Sequence, residues 1–171
     1  MMRRSGVLAA SLALSVLGGG CGYTLGGSLP PHVKTVAVPV FKNLTPQPAV
    51  ENIITAAVAN AFASTGRLKV VPVAEADAIL QGEVTGWNVE AIAFNSSIDA
   101  QQFRLLVKVN VQFRDLRNQT MLWRENGLEE RADFRVGSQV SQTISFERDN
   151  ATRQAAQDIG RRIVSMALDR F

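Results

Sequence analysis

From Phe103 to Phe113 every second residue is apolar, with Phe103, Leu105, Val107, Val109, Val111 and Phe113 on one parity. Arg104, Leu106, Lys108, Asn110, Gln112 and Arg114 hold the other. Strand side chains point alternately to opposite faces, so the pattern predicts a strand with one dry face and one wet face. Upstream, Leu80, Gly82 and Val84 take even positions, whereas Trp87, Val89, Ala91 and Ala93 take odd ones. The inward phase therefore flips near Gly86, the signature of a bulge. Asp115 to Gln119 reads as a turn into a further strand through Met121 and Trp123. Gly127 marks a second flip, after which Leu128, Ala132 and Phe134 share a parity.

Two stretches repeat at three and four instead. Val50, Ile53, Ile54, Ala57, Val58, Ala61 and Phe62 draw one apolar stripe, with Gly66 as a stop. Thr45 is the expected cap of that helix and Pro46 its first residue. Ala155, Ala156, Ile159, Ile163, Met166 and Ala167 form the stripe of a last helix, capped by Ser145 or Asp149, while Arg135 to Thr143 is polar and unperiodic and reads as a loop. Val33 to Phe41 is β-branched and nearly continuously apolar, as a strand buried on both faces would be, with Pro39 near its end. Leu68 to Val73 is a second short strand. Joined through one helix by short connections, these two should run parallel. The predicted fold is α+β: a two-layer α/β sandwich, with two helices packed on one face of a mixed four-stranded sheet, in the order βαβ, long antiparallel strands, final helix.

The front of the chain has another character. Arg3 and Arg4 precede an apolar run from Val7 to Leu17, and Gly18, Gly19 and Gly20 lead into Cys21, the one cysteine. A basic start, a short apolar core and small residues before a cleavage point are the ordered parts of an export signal. The run is too short for a spanning helix, which needs ~20 residues. Small residues before a cysteine resemble a lipobox, although Gly18 stands where leucine is usual and Leu17 lies one place back. The resemblance implies cleavage before Cys21 and acylation there, with S-diacylglycerol and N-acyl groups. Several chains on one residue would hold firmly, since each buried CH₂ contributes about 0.8 kcal/mol. Gly22 after the cysteine resembles lipoproteins sorted to the outer membrane. The expected organisation is a signal peptide over 1–20, a lipidated Gly/Ser/Pro-rich tether over 21–32, and one α/β domain over 33–171.

Charge and chemistry narrow the function classes. The formal net charge of +3 includes Arg3 and Arg4. The remainder is nearly neutral, which argues against nucleic acid as a partner. A single cysteine excludes an intramolecular disulfide. No nucleophile elbow, His-Glu-x-x-His or phosphate loop is present, and no metal-ligand spacing, so the chain does not read as an enzyme and implies no cofactor beyond the acyl groups. His32, the lone histidine, reads as a solvated surface residue beside the linker. Glu129, Glu130 and Asp133 could be imagined as a carboxylate pair, but adjacent acids on a strand point to opposite faces. The wet face is the candidate binding surface: Arg104, Lys108 and Arg114 share a parity and Arg124 follows Trp123, a row able to hold phosphates or acidic loops. The alternatives are an ordinary solvated face of mixed charge, or contact with another protein.

Cys21-Gly-Tyr-Thr-Leu25, Leu29-Pro30, Val36-Ala-Val-Pro-Val-Phe-Lys-Asn-Leu-Thr45, Glu51 at the helix start and Ala76-Asp-Ala-Ile-Leu-Gln-Gly82 together resemble the lipopolysaccharide-assembly lipoprotein (LptE) family. The likeness runs along the whole chain after the signal. It implies two helices on a mixed sheet, in a protein held at the periplasmic side of the cell outer membrane by its lipid. It further implies a plug inside the β-barrel of LptD that assists barrel assembly and delivery of lipopolysaccharide, with LptD and lipopolysaccharide as partners. The polar parity of Arg104 to Arg114 suits a wet barrel interior. A free-standing periplasmic lipid- or peptidoglycan-binding lipoprotein is the alternative.

Overall fold

Leu105, Val107, Val109, Val111 and Phe113 are all buried, with Phe103 half-buried against the same core. They lie on a strand running from Ala100 to Asp115 in a computed structural model that describes residues 29–94, 100–136 and 140–169. In chain order the elements are β1 (Thr35–Ala37), β2 (Lys42–Asn43), α1 (Val50–Thr65), β3 (Lys69–Val70), β4 (Ala78–Phe94), β5 (Ala100–Asp115), β6 (Thr120–Arg135) and α2 (Val140–Asp169). β5 pairs antiparallel with β4 on one side and β6 on the other. Both predicted phase flips are register shifts. One falls between Val84 and Gly86; the other lies opposite Val109 and Val111, where Gly127 stands at φ 69°.

The sheet has six strands, where four were expected, in the order β3-β1-β4-β5-β6 with β2 also on β4. The run from Val33 to Phe41 does not stay in one strand. The chain leaves the sheet after Ala37, just before Pro39, whose missing N–H cannot serve a ladder. It rejoins the same edge of β4 at Lys42, so that Val36 pairs with Ala78 and Lys42 with Glu83, both in parallel. β1 and β3 are parallel across α1, as the crossover requires, although β3 is far shorter than Leu68 to Val73.

α1 buries Val50, Ile54, Val58 and Phe62 and ends at Gly66, φ 64°. Its start differs from the expectation. Thr45 does not cap it: its hydroxyl accepts from Gln47 N at 3.3 Å and donates to Asn43 Oδ1 at 2.8 Å, and Asn43 Oδ1 also accepts from Thr45 N at 2.9 Å, all in a turn ahead of the helix. Asn43 Nδ2 donates to Gln47 O and to Glu51 Oε2, both at 2.8 Å. The intervening loop delays the helix until after Ala49, which takes a left-handed φ of 62°. α2 starts earlier than expected, so Ser145 and Asp149 lie inside it rather than at its cap, and its buried apolar stripe runs from Ala151 to Ala167. Of the supposed loop over Arg135 to Thr143, Arg135 closes β6 and Val140 opens α2. Both helices cover the dry face, and they touch each other where Gly160 meets Ala57 and Ala61.

The signal, Cys21 and most of the tether lie outside the described residues. Leu29 to His32, placed with the tether on sequence, belong instead to the folded domain: Leu29 packs on the core and Pro30 O accepts from Val33 N at 2.9 Å. His32 is not a freely solvated side chain. Its Nε2 lies 2.7 Å from Oδ2 of buried Asp115. Asp115 also accepts from the N–H groups of Arg117 and Asn118 and from the Asn118 amide, closing the β5–β6 turn. Burial alone would push this carboxyl up, but the bonds from Asn118, His32 and Arg117 hold it below the ordinary carboxylate value.

Asp77, at the foot of β4, does the same for β1. Its Oδ2 accepts from Lys34 N and Thr35 N at 3.0 Å and from the Thr35 hydroxyl at 2.9 Å, while Arg117 reaches Oδ1 at 2.7 Å. The Lys34 N–H, acting with the Thr35 groups and Arg117 against burial, lowers its pKa to about 2. A depressed carboxylate contributes stability that is present above its unfolded value and lost as pH falls through the folded one. Asp77→Asn is therefore expected to cost about 2 kcal/mol at neutral pH. The gap between variant and parent should close as urea unfolding is followed from pH 5 down to pH 2; a gap independent of pH would show that the charge of Asp77 contributes nothing.

Candidate functional site

The helices leave the other face of the sheet open, and parity places the four sequence-predicted residues on it. Arg104 stands opposite Asp133 in register, Lys108 opposite Glu129, Arg114 opposite Met121 and Arg124 opposite Gln112. The first two are not free cations. Arg104 Nε and Nη2 grip Asp133 at 2.8 and 2.9 Å, and the Lys108 ammonium lies 3.0 Å from Glu129, which also holds Arg131 at 2.9 Å. The Arg104 bonds depress the Asp133 carboxyl, and Lys108 followed by Arg131 depresses Glu129. Glu130 points to the other face and meets Arg162 of α2 at 2.8 Å, so the adjacent acids do separate as strand geometry requires.

The face therefore divides into two parts. One part is a lattice of alternating charge, Arg104 on Asp133 and Lys108 on Glu129, solvent-screened and individually worth little to stability. Toward the β1–β2 crossover it becomes a cavity of about 540 Å³ lined by Lys42, Gln81, Glu83, Asn110, Gln112 and Arg124, with Pro39 and Val40 as an apolar wall. Arg124 joins this second part by donating from Nη2 to Gln112 Oε1 at 3.2 Å. Arg114 lies between Ile79 and Met121 in register, with no carboxylate opposite it. Sequence parity found the face but missed the acids across the strand and the amides of the cavity, since both depend on register.

Among the described residues no group of three or more His, Cys, Asp or Glu is placed to hold a metal ion. Nor is any described helix long and apolar enough to cross a membrane. What the arrangement can do chemically is recognise polar and charged surfaces through oriented donors and acceptors.

Two helices on the dry side of a long antiparallel meander, with no described element over the wet side, define a class of two-layer α+β modules. Solved structures share the fold. XCC0632 from Xanthomonas campestris is similar at 12% identity, covering 84% of this chain and 90% of that one with a TM-score of 0.56. CT253 from Chlamydia trachomatis is similar at 12% identity, 78% and 94% coverage and a TM-score of 0.54. PelC from Paraburkholderia phytofirmans follows at 16% identity, 84% and 94% coverage and a TM-score of 0.51. No curated protein sequence matches the chain. The family model for lipopolysaccharide assembly, LptE, matches residues 33–167. The chain belongs to the LptE family, and its role is in lipopolysaccharide assembly.

Proposed function

We propose that this protein is an outer-membrane lipoprotein subunit of the lipopolysaccharide translocon, anchored through acylated Cys21, which fills and helps assemble an LptD-type barrel and does no bond-breaking chemistry. The family match over residues 33–167 carries the reading. The open face supports it physically: barrel interiors of this type are wet and polar, and a lattice of paired charges can exchange partners with a polar wall. Arg104, Lys108, Arg114 and Arg124 are the proposed contacts for the barrel or for lipopolysaccharide phosphates.

Reversing two charges, Arg104→Glu with Lys108→Glu, sets like charges against Asp133 and Glu129. The double variant is expected to lose most lipopolysaccharide binding and barrel co-purification in mild detergent. Adding Asp133→Arg and Glu129→Lys restores the ion pairs and controls for folding. Unchanged binding and co-purification in the double variant would remove this face from the function, and an unmodified thiol on Cys21 by mass spectrometry would remove the anchor.

A further inference from the structure

Where α1 and α2 meet at Gly160, a groove of about 790 Å³ runs between them, lined by residues of those two helices alone. Its floor is small and apolar. Ile53, Ala57 and Ala61 recur every four residues along α1, with Val164 and Leu168 of α2 beside them. The rims recur at the same spacing: Ala56, Asn60 and Ser64 on one side, Arg153, Gln157 and Arg161 on the other, all of them exposed. Rows four residues apart form the ridges and grooves by which helices pack, so the trough is shaped to take the ridge of a further helix. Its alanines leave room for the larger side chains that such a helix would insert.

The charges on the lining are of one sign. Arg153 donates from Nη1 to the neutral Asn150 Oδ1 at 3.0 Å, and Arg161 shares its charge with Asp158 on the same helix. Among the described residues no carboxylate lines the groove. Eight residues of helix rise about 12 Å, so the two guanidiniums stand roughly two turns apart along one rim. The same groove on a second copy would bring no carboxylate to them, and a flat bilayer cannot reach a concave floor behind polar rims. A single acyl chain would stay wet along the open side, whereas bound apolar ligands bury roughly 70–90% of their surface. A helix, about 10–12 Å across with its side chains, has the width to touch both rims. We infer that the groove docks an amphipathic helix of a protein partner. Its aliphatic side chains, three and four residues apart, lie on the alanine floor, and its carboxylates, about two turns apart, meet Arg153 and Arg161.

The groove lies on the helix layer, apart from the open sheet face, so docking there stands or falls independently of the function proposed above. The full chain, labelled with ¹⁵N and held in amphipol, is titrated with a lactam-stapled helical peptide about four turns long, with Leu along one face and two flanking Glu about two turns apart. The same peptide with Lys for Glu, and myristate, are titrated separately while the side-chain amide resonances of Asn60 and Gln157 are followed. The acidic peptide is expected to shift both saturably and to bind at least about tenfold tighter than the Lys peptide, a factor equal to about 1.4 kcal/mol. Ala56→Trp, at an exposed rim position, should weaken it about tenfold by closing the trough. Arg153→Glu with Arg161→Glu should invert the preference, so that the Lys peptide binds the tighter; thermal unfolding of each variant checks the fold. Equal binding of the two peptides, no saturable shift, or no inversion in the double variant would each overturn the assignment. Larger shifts with myristate would give the groove to a lipid chain instead, and concentration-dependent shifts without peptide would give it to a second copy.

Discussion

Phe41→Ala is expected to destabilise the domain by about 3–5 kcal/mol, the cost of emptying a buried phenyl site. Phe41 is 2% exposed, and its ring fills the space that a side chain on Gly82 would occupy. A Cβ on Gly82 would stand 2.2 Å from the ring. The ring has little freedom to swing aside, because it is packed in the core, and the backbone that carries it is tied to α1 by Phe41 N donating to the Thr55 hydroxyl at 3.0 Å. Gly82→Ala alone should therefore cost about 1–3 kcal/mol by overpacking. In the Phe41→Ala background the same methyl enters vacated space, and its cost should vanish or change sign. Urea unfolding of the two single variants and the double variant measures the coupling. Simple additivity would mean that ring and glycine do not share the site.

Gly160→Leu carries the second large effect. A Cβ there would meet Ala57 O at 2.9 Å and the Ala61 methyl at 3.3 Å, so the obstacle is helix backbone rather than a movable side chain. Any larger residue must push α2 away from α1, and Ile159 and Ile163 beside it are fully buried. A loss of about 3 kcal/mol, the upper end for overpacking, is expected in thermal or urea unfolding. Gly160→Ala should lose part of that, since even a methyl falls inside the contact. A wild-type transition for Gly160→Leu would mean that the helices do not cross here.

The dry face was legible because period-two alternation over Phe103 to Phe113 has no competing reading, and both glycine flips proved to be register shifts. The stripe of α1 was equally plain. Boundaries were less so where hydrogen bonds, not hydrophobicity, decide them: the Asn43–Thr45 turn precedes a later start of α1, and Pro39 split one apolar run into β1 and β2, two short strands along the same side of β4. In α2 none of the residues from Ile144 to Asn150 is fully buried, so that stretch presents no stripe to read. His32 found its partner 83 positions away, a pairing no local pattern contains. At the candidate site, parity placed Arg104 and Lys108 on the open face. Only the register of β6 revealed that Asp133 and Glu129 already neutralise them, and that Arg124 instead orients Gln112 and Gln81.

Among the described residues β6 is the outermost strand on its side, sixteen residues long, and one row of its backbone groups has no neighbouring strand there. So long a rim would ordinarily template self-association between chains. The Gly127 kink interrupts any straight ladder along it, and Arg124, Glu129, Glu130 and Arg131 would oblige an incoming strand to bury charge. Colloidal safety is thus built into the same strand that supplies the acids of the open face.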